Sequence, residues 1–191
     1  MKGIFLGACL ERHEMYDMDY NDIDPKTNCN IICDMLTVNL DNYDFLIASP
    51  PCNYYSRANY RRDTSKYALE TKHLLPDILE KFAKTNKPFL VENVRNNVQF
   101  EKAGIFDICK KYDITVQYVG RHTYFTNFNV DLNCPQKKEC VQKQSHHSLS
   151  KNNYRQGGEN VYIVIEKWLS KLHNIDNIVR TKYLKKLEEI K

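Results

Sequence analysis

A cysteine stands where a short apolar segment of the sequence ends in two prolines. Residues 45–48 are all apolar and are followed by Ser49, Pro50, Pro51 and Cys52. A short, fully apolar run predicts a strand buried on both faces, and proline ends it because proline has no N–H for the ladder. The Cys52 thiol is therefore expected at the carboxyl end of a central strand, where open α/β sheets bind ligands. It is a candidate nucleophile, or else an ordinary half-buried cysteine in a turn.

Acidic side chains lie at the ends of three other apolar runs. Glu92 directly follows residues 89–91, and its carboxyl is a candidate group for proton transfer. Asp22 lies in the second run, residues 20–23, at a position where an acid binds ribose hydroxyls in many nucleotide-binding sheets. Asp34 follows the third run, residues 30–33. The alternatives are a solvated acid at a strand end for Glu92 and turn-forming aspartates for the other two.

The elements that would position these side chains alternate between strands and helices. Strands are predicted at residues 2–6, 20–23, 30–33, 45–48, 89–91, 114–119 and 123–128, and helices at 8–15, 74–82, 105–112, 161–172 and 175–187. Residues 53–65 and 129–160 are polar and predicted to be irregular. This alternation favours an α/β fold with a parallel-rich sheet and helices on both faces.

Length and composition narrow the possible classes of protein. The chain has 191 residues, of which 42% are hydrophobic, so a single domain with a sizeable core is expected. Its net charge of +4 is compatible with a nucleic-acid partner. Seven cysteines, no signal peptide and no long apolar segment predict a reduced, cytoplasmic chain without a membrane span.

Three blocks of sequence, in the same order, resemble the DNA cytosine-5 methyltransferases. They are Ser49-Pro50-Pro51-Cys52-Asn53 with Ser56, the segment 88–96 containing Glu92-Asn93-Val94, and the segment 154–161 containing Gln156-Gly157-Gly158-Glu159-Asn160. With weaker blocks upstream, the resemblance covers residues 3–128 and 154–172. It implies a Rossmann-like, S-adenosylmethionine-dependent methyltransferase sheet, formed by one domain over residues 1–191.

The resemblance also implies roles for individual residues. Cys52 would add to C6 of cytosine in DNA, Glu92 would hydrogen-bond and protonate the edge of the base, and Arg121 would lie near the base. The target base would be flipped out of the stack into the pocket beside Cys52. The residues implied to bind S-adenosylmethionine are Phe5, Gly7, Asp22, Ile23, Asp34, Met35, Pro51, Gly158 and Asn160.

The chain departs from the family pattern at three places. Residues 5–9 keep only Gly7 where the family has two glycines, and Cys9 stands at the second position. Arg121 matches the first arginine of the family's Arg-x-Arg, but Thr123 stands at the second position. Together with Thr126 and Asn127, this segment resembles compact, phage-type relatives more than restriction-system enzymes. Residues 129–160 form a short insert in place of a large target-recognition domain, so a protein partner could supply recognition.

The short insert contains residues of two kinds that bind ligands. Cys134, Cys140, His146 and His147 are ligand types for zinc, although their spacing is looser than in common zinc motifs. Lys137, Lys138 and Lys143 could instead follow a phosphate backbone or simply be solvated.

Two further functions are compatible with the sequence. One is a catalytically degraded, methyltransferase-like protein that binds nucleic acid, since the glycine motif is reduced. The other is an enzyme that modifies a pyrimidine in RNA or in a free nucleotide, because thiolate addition at C6 serves those substrates too.

Overall fold

The computed structural model describes residues 1–133 and 151–174, with the side chains of residues 1–133 and 161–174. The chain divides into two compact units, Met1–Asn129 and Val130–Lys191.

A seven-stranded mixed sheet forms the first unit. Its strands are β1 (Gly3–Leu6), β2 (Met18–Asp22), β3 (Ile31–Ile32), β4 (Phe45–Ala48), β5 (Phe89–Val94), β6 (Thr115–Val119) and β7 (His122–Thr126). They lie in the order β3-β2-β1-β4-β5-β7-β6. The pairs among β1 to β5 are all parallel, whereas β7 runs antiparallel to both β5 and β6. The carboxyl ends of the first five strands therefore share one edge of the sheet.

Four α-helices of the first unit connect the strands: α1 (Lys66–Thr71), α2 (Leu74–Ala83), α3 (Asn97–Lys102) and α4 (Ile105–Lys111). In α2 the buried residues Leu75, Ile78, Leu79 and Phe82 recur at helical spacing and form one apolar stripe. Pro76 lies in the first turn, where a missing N–H costs no intrahelical hydrogen bond.

The sheet is buried on both faces. Ile4, Leu46, Phe89 and Phe125 share one core cluster with apolar residues of α2, α3 and α4. On the opposite face, Phe5, Phe45, Ile47 and Leu90 are fully buried as well. This burial explains why β4 consists only of apolar residues. The parallel strands β1 to β5, with helices in the connections, confirm the predicted Rossmann-like α/β fold.

The helix predicted over residues 8–15 is wrong. This segment forms turns, with hydrogen bonds from the Glu11 N–H to the Ala8 carbonyl and from the Tyr16 N–H to the His13 carbonyl. Gly7 and Cys9 have φ angles of +67° and +50°, which are incompatible with a right-handed helix. The connection from β1 to β2 is therefore a compact loop.

A single helix, α5 (Lys151–Leu172), is described in the second unit. It begins earlier than predicted, so the prediction of irregular structure up to residue 160 is wrong. Val161, Val164, Ile165, Trp168 and Leu169 are buried along its apolar stripe. Within the described part of the chain, no helix has both the length and the apolar character needed to cross a membrane. The helix predicted at residues 175–187 lies outside the described residues.

Candidate active site

The candidate site lies where the strand order changes direction. From β1 the chain proceeds to β2 and β3 on one side, then returns to place β4 and β5 on the other. In such sheets the loops after the two central strands diverge and leave a crevice, which is the usual ligand site. The loops that follow β1 and β4 flank this crevice here.

Gly7 brings these two loops into close contact. A Cβ placed on Gly7 would lie 2.7 Å from the Ser49 carbonyl oxygen and 3.0 Å from Cε of Met35. The Ser49 N–H also donates to the Leu6 carbonyl, at 3.0 Å. With a φ of +67°, Gly7 adopts a conformation that side chains disfavour, so glycine is required here for two independent reasons.

Cys52 lies in the turn that follows the two prolines. The fully buried Asn93 side chain donates from Nδ2 to the Pro50 carbonyl at 3.0 Å, which ties this turn to the end of β5. The Cys52 carbonyl accepts a hydrogen bond from the Ser56 N–H at 2.8 Å. Burial, and next the negative charge of Glu92, raise the pKa of the Cys52 thiol to about 11. Cys52 is therefore a protonated thiol at neutral pH, within electrostatic reach of Glu92.

Both carboxylate oxygens of Glu92 have hydrogen-bond partners. The Ser49 hydroxyl donates to Oε2 at 2.9 Å, and Nδ1 of His122 lies 2.7 Å from Oε1. The Glu92 side chain is only 12% exposed, so it is held in a largely enclosed position. The strand predicted to end at Val91, directly before Glu92, extends to Val94, so Glu92 lies within β5. Sequence reasoning also missed His122, because that contact depends on the register between β5 and β7.

Arg121 occupies the hairpin turn between β6 and β7. It is exposed, and its carbonyl accepts a hydrogen bond from the Arg95 N–H at 2.8 Å. The described hydrogen bonds to Glu92 come from Ser49 and His122.

Asp22 closes the loop that follows β1. Its Oδ2 accepts from the Cys9 N–H and its Oδ1 from the Asp24 N–H, both at 3.0 Å. A carboxylate oxygen has more than one acceptor site, so these backbone contacts leave Asp22 able to accept hydroxyl donors. The adjacent Ile23 is 72% exposed, which leaves an apolar surface beside the carboxylate.

The loop after β3 carries Asp34 and Met35. The Leu36 N–H donates to Oδ1 of Asp34 at 2.8 Å, forming a local turn. The ammonium group of Lys81, on α2, donates to the carbonyls of Leu36 at 2.6 Å and Val38 at 2.7 Å. These bonds fix the loop so that Met35 lies against Gly7.

Cys9, which stands where the family pattern has a glycine, adopts a backbone conformation that favours glycine. Its φ of +50° lies in the left-handed region, where a Cβ is disfavoured by about 1–2 kcal/mol. The loop therefore has a glycine-like backbone, with a thiol side chain added. The other two candidates near this loop, Phe5 and Pro51, are fully buried and half-buried, respectively.

Tyr67 is a neighbour of the site that sequence reasoning did not single out. Burial, and next the charges of Cys52 and Asp22, raise the pKa of its phenol. Tyr67, on α1, therefore lies within electrostatic reach of both residues. Its helix is short and has no apolar repeat, so the sequence offers little to predict it beyond the N-cap Ser65.

The remaining predicted residues fall where side chains are not described. Gly158 and Asn160 belong to α5, but their side chains lie outside the described residues. The zinc candidates Cys134, Cys140, His146 and His147, and the basic residues Lys137, Lys138 and Lys143, also lie outside. Among the side chains that are described, no cluster of three or more His, Cys, Asp or Glu could hold a metal ion.

The family match described below covers two of the three blocks of sequence, those that contain Cys52 and Glu92. No curated protein matches the chain. One similar solved structure is the crystal structure of the S. pombe Dnmt2 methyltransferase, with 16% identity and a TM-score of 0.45. That match covers 69% of this chain and 52% of the other, so the chain spans about half the length of that structure. The family of C-5 cytosine-specific DNA methylases matches residues 10–141, which is more than half of the chain. The chain therefore belongs to the C-5 cytosine-specific DNA methylase family.

Proposed function

We propose that this chain transfers a methyl group from S-adenosylmethionine to C5 of cytosine in DNA, with Cys52 as the nucleophile and Glu92 as the acid. One observation supports this most strongly. Cys52, in the turn after β4, and Glu92, within the neighbouring strand β5, interact electrostatically in a largely enclosed site beside the crevice. Adding to the ring and protonating it require a thiol and a carboxyl close together.

Cytosine C5 is a weak nucleophile, so the ring must first be activated. The Cys52 S–H bond breaks, its proton passes to solvent and an Sγ–C6 bond forms, while Glu92 gives its proton to N3 and an enamine results. S-adenosylmethionine, when bound, supplies the methyl group that C5 takes. The proton on C5 then passes to solvent, the Sγ–C6 bond breaks to release the Cys52 thiolate, which regains a proton from solvent, and the N3 proton returns to Glu92. Every covalent step on the protein side is thus assigned to two residues.

The raised pKa of Cys52 determines when the nucleophile can form. In the free protein the thiol is protonated, because burial and the Glu92 charge both disfavour the thiolate. A protonated, neutral Glu92 removes the second of these causes. The form of Glu92 that can protonate the base is therefore also the form that favours deprotonation of Cys52.

The loops after β1, β2 and β3 suit a nucleoside-containing methyl donor. Asp22 has acceptor capacity for ribose hydroxyls, and the exposed Ile23 can pack on the adenine ring. None of the described hydrogen bonds uses Oδ2 of Asp34, which can accept from the adenine amino group. The Gly7 backbone and Met35, which lie against each other, would form the apolar side of the donor site.

The polar loop after Cys52 is proposed to contact the phosphate backbone. Arg57 and Arg61 are exposed, and the Arg61 guanidinium lies 5.4 Å from the ring centre of the exposed Tyr60. Arg62 instead donates to the Ser56 carbonyl at 2.9 Å and maintains the shape of the loop. With a short insert, base contacts are few, so we propose a target of roughly two to four base pairs. Further recognition would come from a protein partner.

The test is product analysis with separate substrates. The purified protein is incubated with S-adenosylmethionine and either randomised duplex DNA, RNA or a cytidine nucleotide, and 5-methylcytosine is then measured by mass spectrometry. Methylation of DNA is expected for the wild type and for Cys109→Ala, whose buried thiol also has a pKa raised to about 11. It should be lost in Cys52→Ser. Product from RNA or nucleotide alone would reassign the substrate, and product from Cys52→Ser at the wild-type rate would contradict the mechanism.

A further inference from the structure

His122 takes no part in the bond-making steps assigned to Cys52 and Glu92, yet it makes a shorter hydrogen bond to Glu92 than Ser49 does. Its Nδ1 lies 2.7 Å from Oε1 of Glu92, and both side chains are largely buried. An ionised carboxylate can only accept hydrogen bonds, so Nδ1 must carry the proton when Glu92 is charged. The Ser49 hydroxyl occupies the other oxygen, at 2.9 Å. Glu92 therefore lies between a titratable donor and a non-titratable one.

We propose that His122 is a positioning residue for Glu92: it orients the carboxyl and restores the proton that Glu92 gives to the cytosine ring. This inference rests on the proposed function, because it assigns a partner to the acid of that reaction. It adds a third residue to the pair Cys52 and Glu92.

The register of β7 explains why His122, rather than its neighbour, makes this contact. His122 lies opposite Val94 and Tyr124 opposite Glu92, so alternate residues of β7 share the face of the sheet that carries the acid. Thr123 lies opposite Asn93 on the other face and is fully buried. Its hydroxyl has no hydrogen-bond partner among the described residues. A longer donor at position 123 could not reach Glu92 across the sheet.

The proton balance of this step closes within the site. When Glu92 protonates N3, its O–H bond breaks and an N3–H bond forms. The Nδ1–H bond of a protonated His122 then breaks, an O–H bond forms on Glu92, and the imidazole becomes neutral. When the Sγ–C6 bond breaks at the end of the cycle, the proton returns from N3 through Glu92 to His122. No oxidant, reductant or additional reactant is needed.

The charge arrangement around Cys52 supports the same role. The negative charge of Glu92 is the second cause of the raised pKa of Cys52. An imidazolium beside Glu92 offsets that charge without breaking the hydrogen bond. His122 can thus serve both the acid and the nucleophile through one contact.

Three substitutions separate positioning from simple packing. In place of His122, asparagine has an amide N–H close to the position of Nδ1, which can donate to Glu92. Glutamine has its amide N–H close to the position of Nε2, and leucine has no N–H in its side chain. We expect His122→Leu to lower kcat by about tenfold or more while the KM for S-adenosylmethionine stays unchanged. His122→Asn should recover more of kcat than His122→Gln does. Equal kcat values for the leucine variant and the wild type, with both shown to be folded by circular dichroism, would overturn the inference.

A second measurement decides the pairing even if the chain proves inactive. Nuclear magnetic resonance of the His122 ring nitrogens gives the pKa of His122 in the wild type and in Glu92→Gln. The other ionisable residues nearby, Arg95, Arg121 and Cys52, are the same in both proteins, so a difference in that pKa reports the Glu92 charge. We expect the pKa of His122 to fall by about one unit or more when the Glu92 charge is removed. An unchanged titration would overturn the inference. Absence of methyl transfer by the wild type with the expected His122 shift would instead contradict the proposed function alone.

Discussion

Gly7 and Gly104 form a matched pair that tests the close contact between the loops after β1 and β4. Both have nearly the same left-handed backbone, with φ of +67° and +68°. A Cβ on Gly7 would lie 2.7 Å from the Ser49 carbonyl oxygen, whereas a Cβ on Gly104 would have no atom within 4 Å. Substitution by alanine at Gly104 therefore measures the backbone cost alone, and substitution at Gly7 measures that cost plus the contact.

The two contributions can be estimated separately. An alanine in the left-handed region costs about 1–2 kcal/mol, and the stiffer unfolded chain returns about 0.4–1 kcal/mol, so Gly104→Ala should cost about 1 kcal/mol. Forcing an atom into a packed site adds about 1–3 kcal/mol. Gly7→Ala should therefore lower the free energy of unfolding by about 1–3 kcal/mol more than Gly104→Ala does.

Urea unfolding of the wild type and both variants gives these differences directly. A second readout connects the result to function. The displaced backbone belongs to Ser49, whose hydroxyl holds Glu92, so Gly7→Ala should also reduce methyl transfer while Gly104→Ala leaves it unchanged. Equal losses in the free energy of unfolding for the two variants would show that the loops after β1 and β4 do not meet at Gly7.

Three further predictions concern the nucleophile, the donor pocket and the nucleic-acid contact. A pKa of about 11 leaves Cys52 with about 100-fold less thiolate at pH 7 than an ordinary cysteine of pKa 9 has. The rate at which Cys52 is alkylated should therefore be low at pH 7 and should rise about tenfold per pH unit up to pH 9. Glu92→Gln should lower that pKa and speed alkylation at Cys52; an unchanged rate would mean that the two groups do not interact. Asp22→Ala and Asp34→Ala should each weaken binding of S-adenosylhomocysteine by about 1–3 kcal/mol in calorimetry, and unchanged affinity in both would place the donor elsewhere. DNA binding should weaken steeply as the salt concentration rises. Replacing both exposed arginines of the 57–62 loop, Arg57 and Arg61, should reduce the steepness of the plot of log K against log salt by about two. An unaltered slope would exclude that loop from the phosphate contact.

The strands and the position of the thiol could be predicted because their signals are local. The all-apolar run of β4 is required by burial on both faces, and its predicted bounds agree with the structure. Pro50 and Pro51 end it for a reason intrinsic to proline. Cys52 and Glu92 were expected near each other because parallel strands end at the same edge, and the charge of Glu92 contributes to the raised pKa of Cys52.

The features that were missed depend on tertiary structure or have weak signals. The pairing of His122 with Glu92 requires the register of β7 on β5, which no local pattern specifies. The short helices α1 and α3 have cap residues, Ser65 and Asn96, but no apolar repeat long enough to predict them. The helix predicted over residues 8–15 failed because Cys9 adopts a positive φ that is rare for a residue other than glycine.

Trapping of the covalent adduct tests the central claim most directly. The protein is incubated with S-adenosylmethionine and duplex DNA of randomised sequence that contains 5-fluorocytosine. Fluorine at C5 cannot leave as the proton does, so an adduct formed by addition at C6 persists after methylation. Peptide mass spectrometry should find the methylated base attached to Cys52, with no adduct in Cys52→Ser or without S-adenosylmethionine. Attachment at a different cysteine, or 5-methylcytosine formed on ordinary DNA with no adduct at Cys52, would contradict the assignment of Cys52 as the nucleophile.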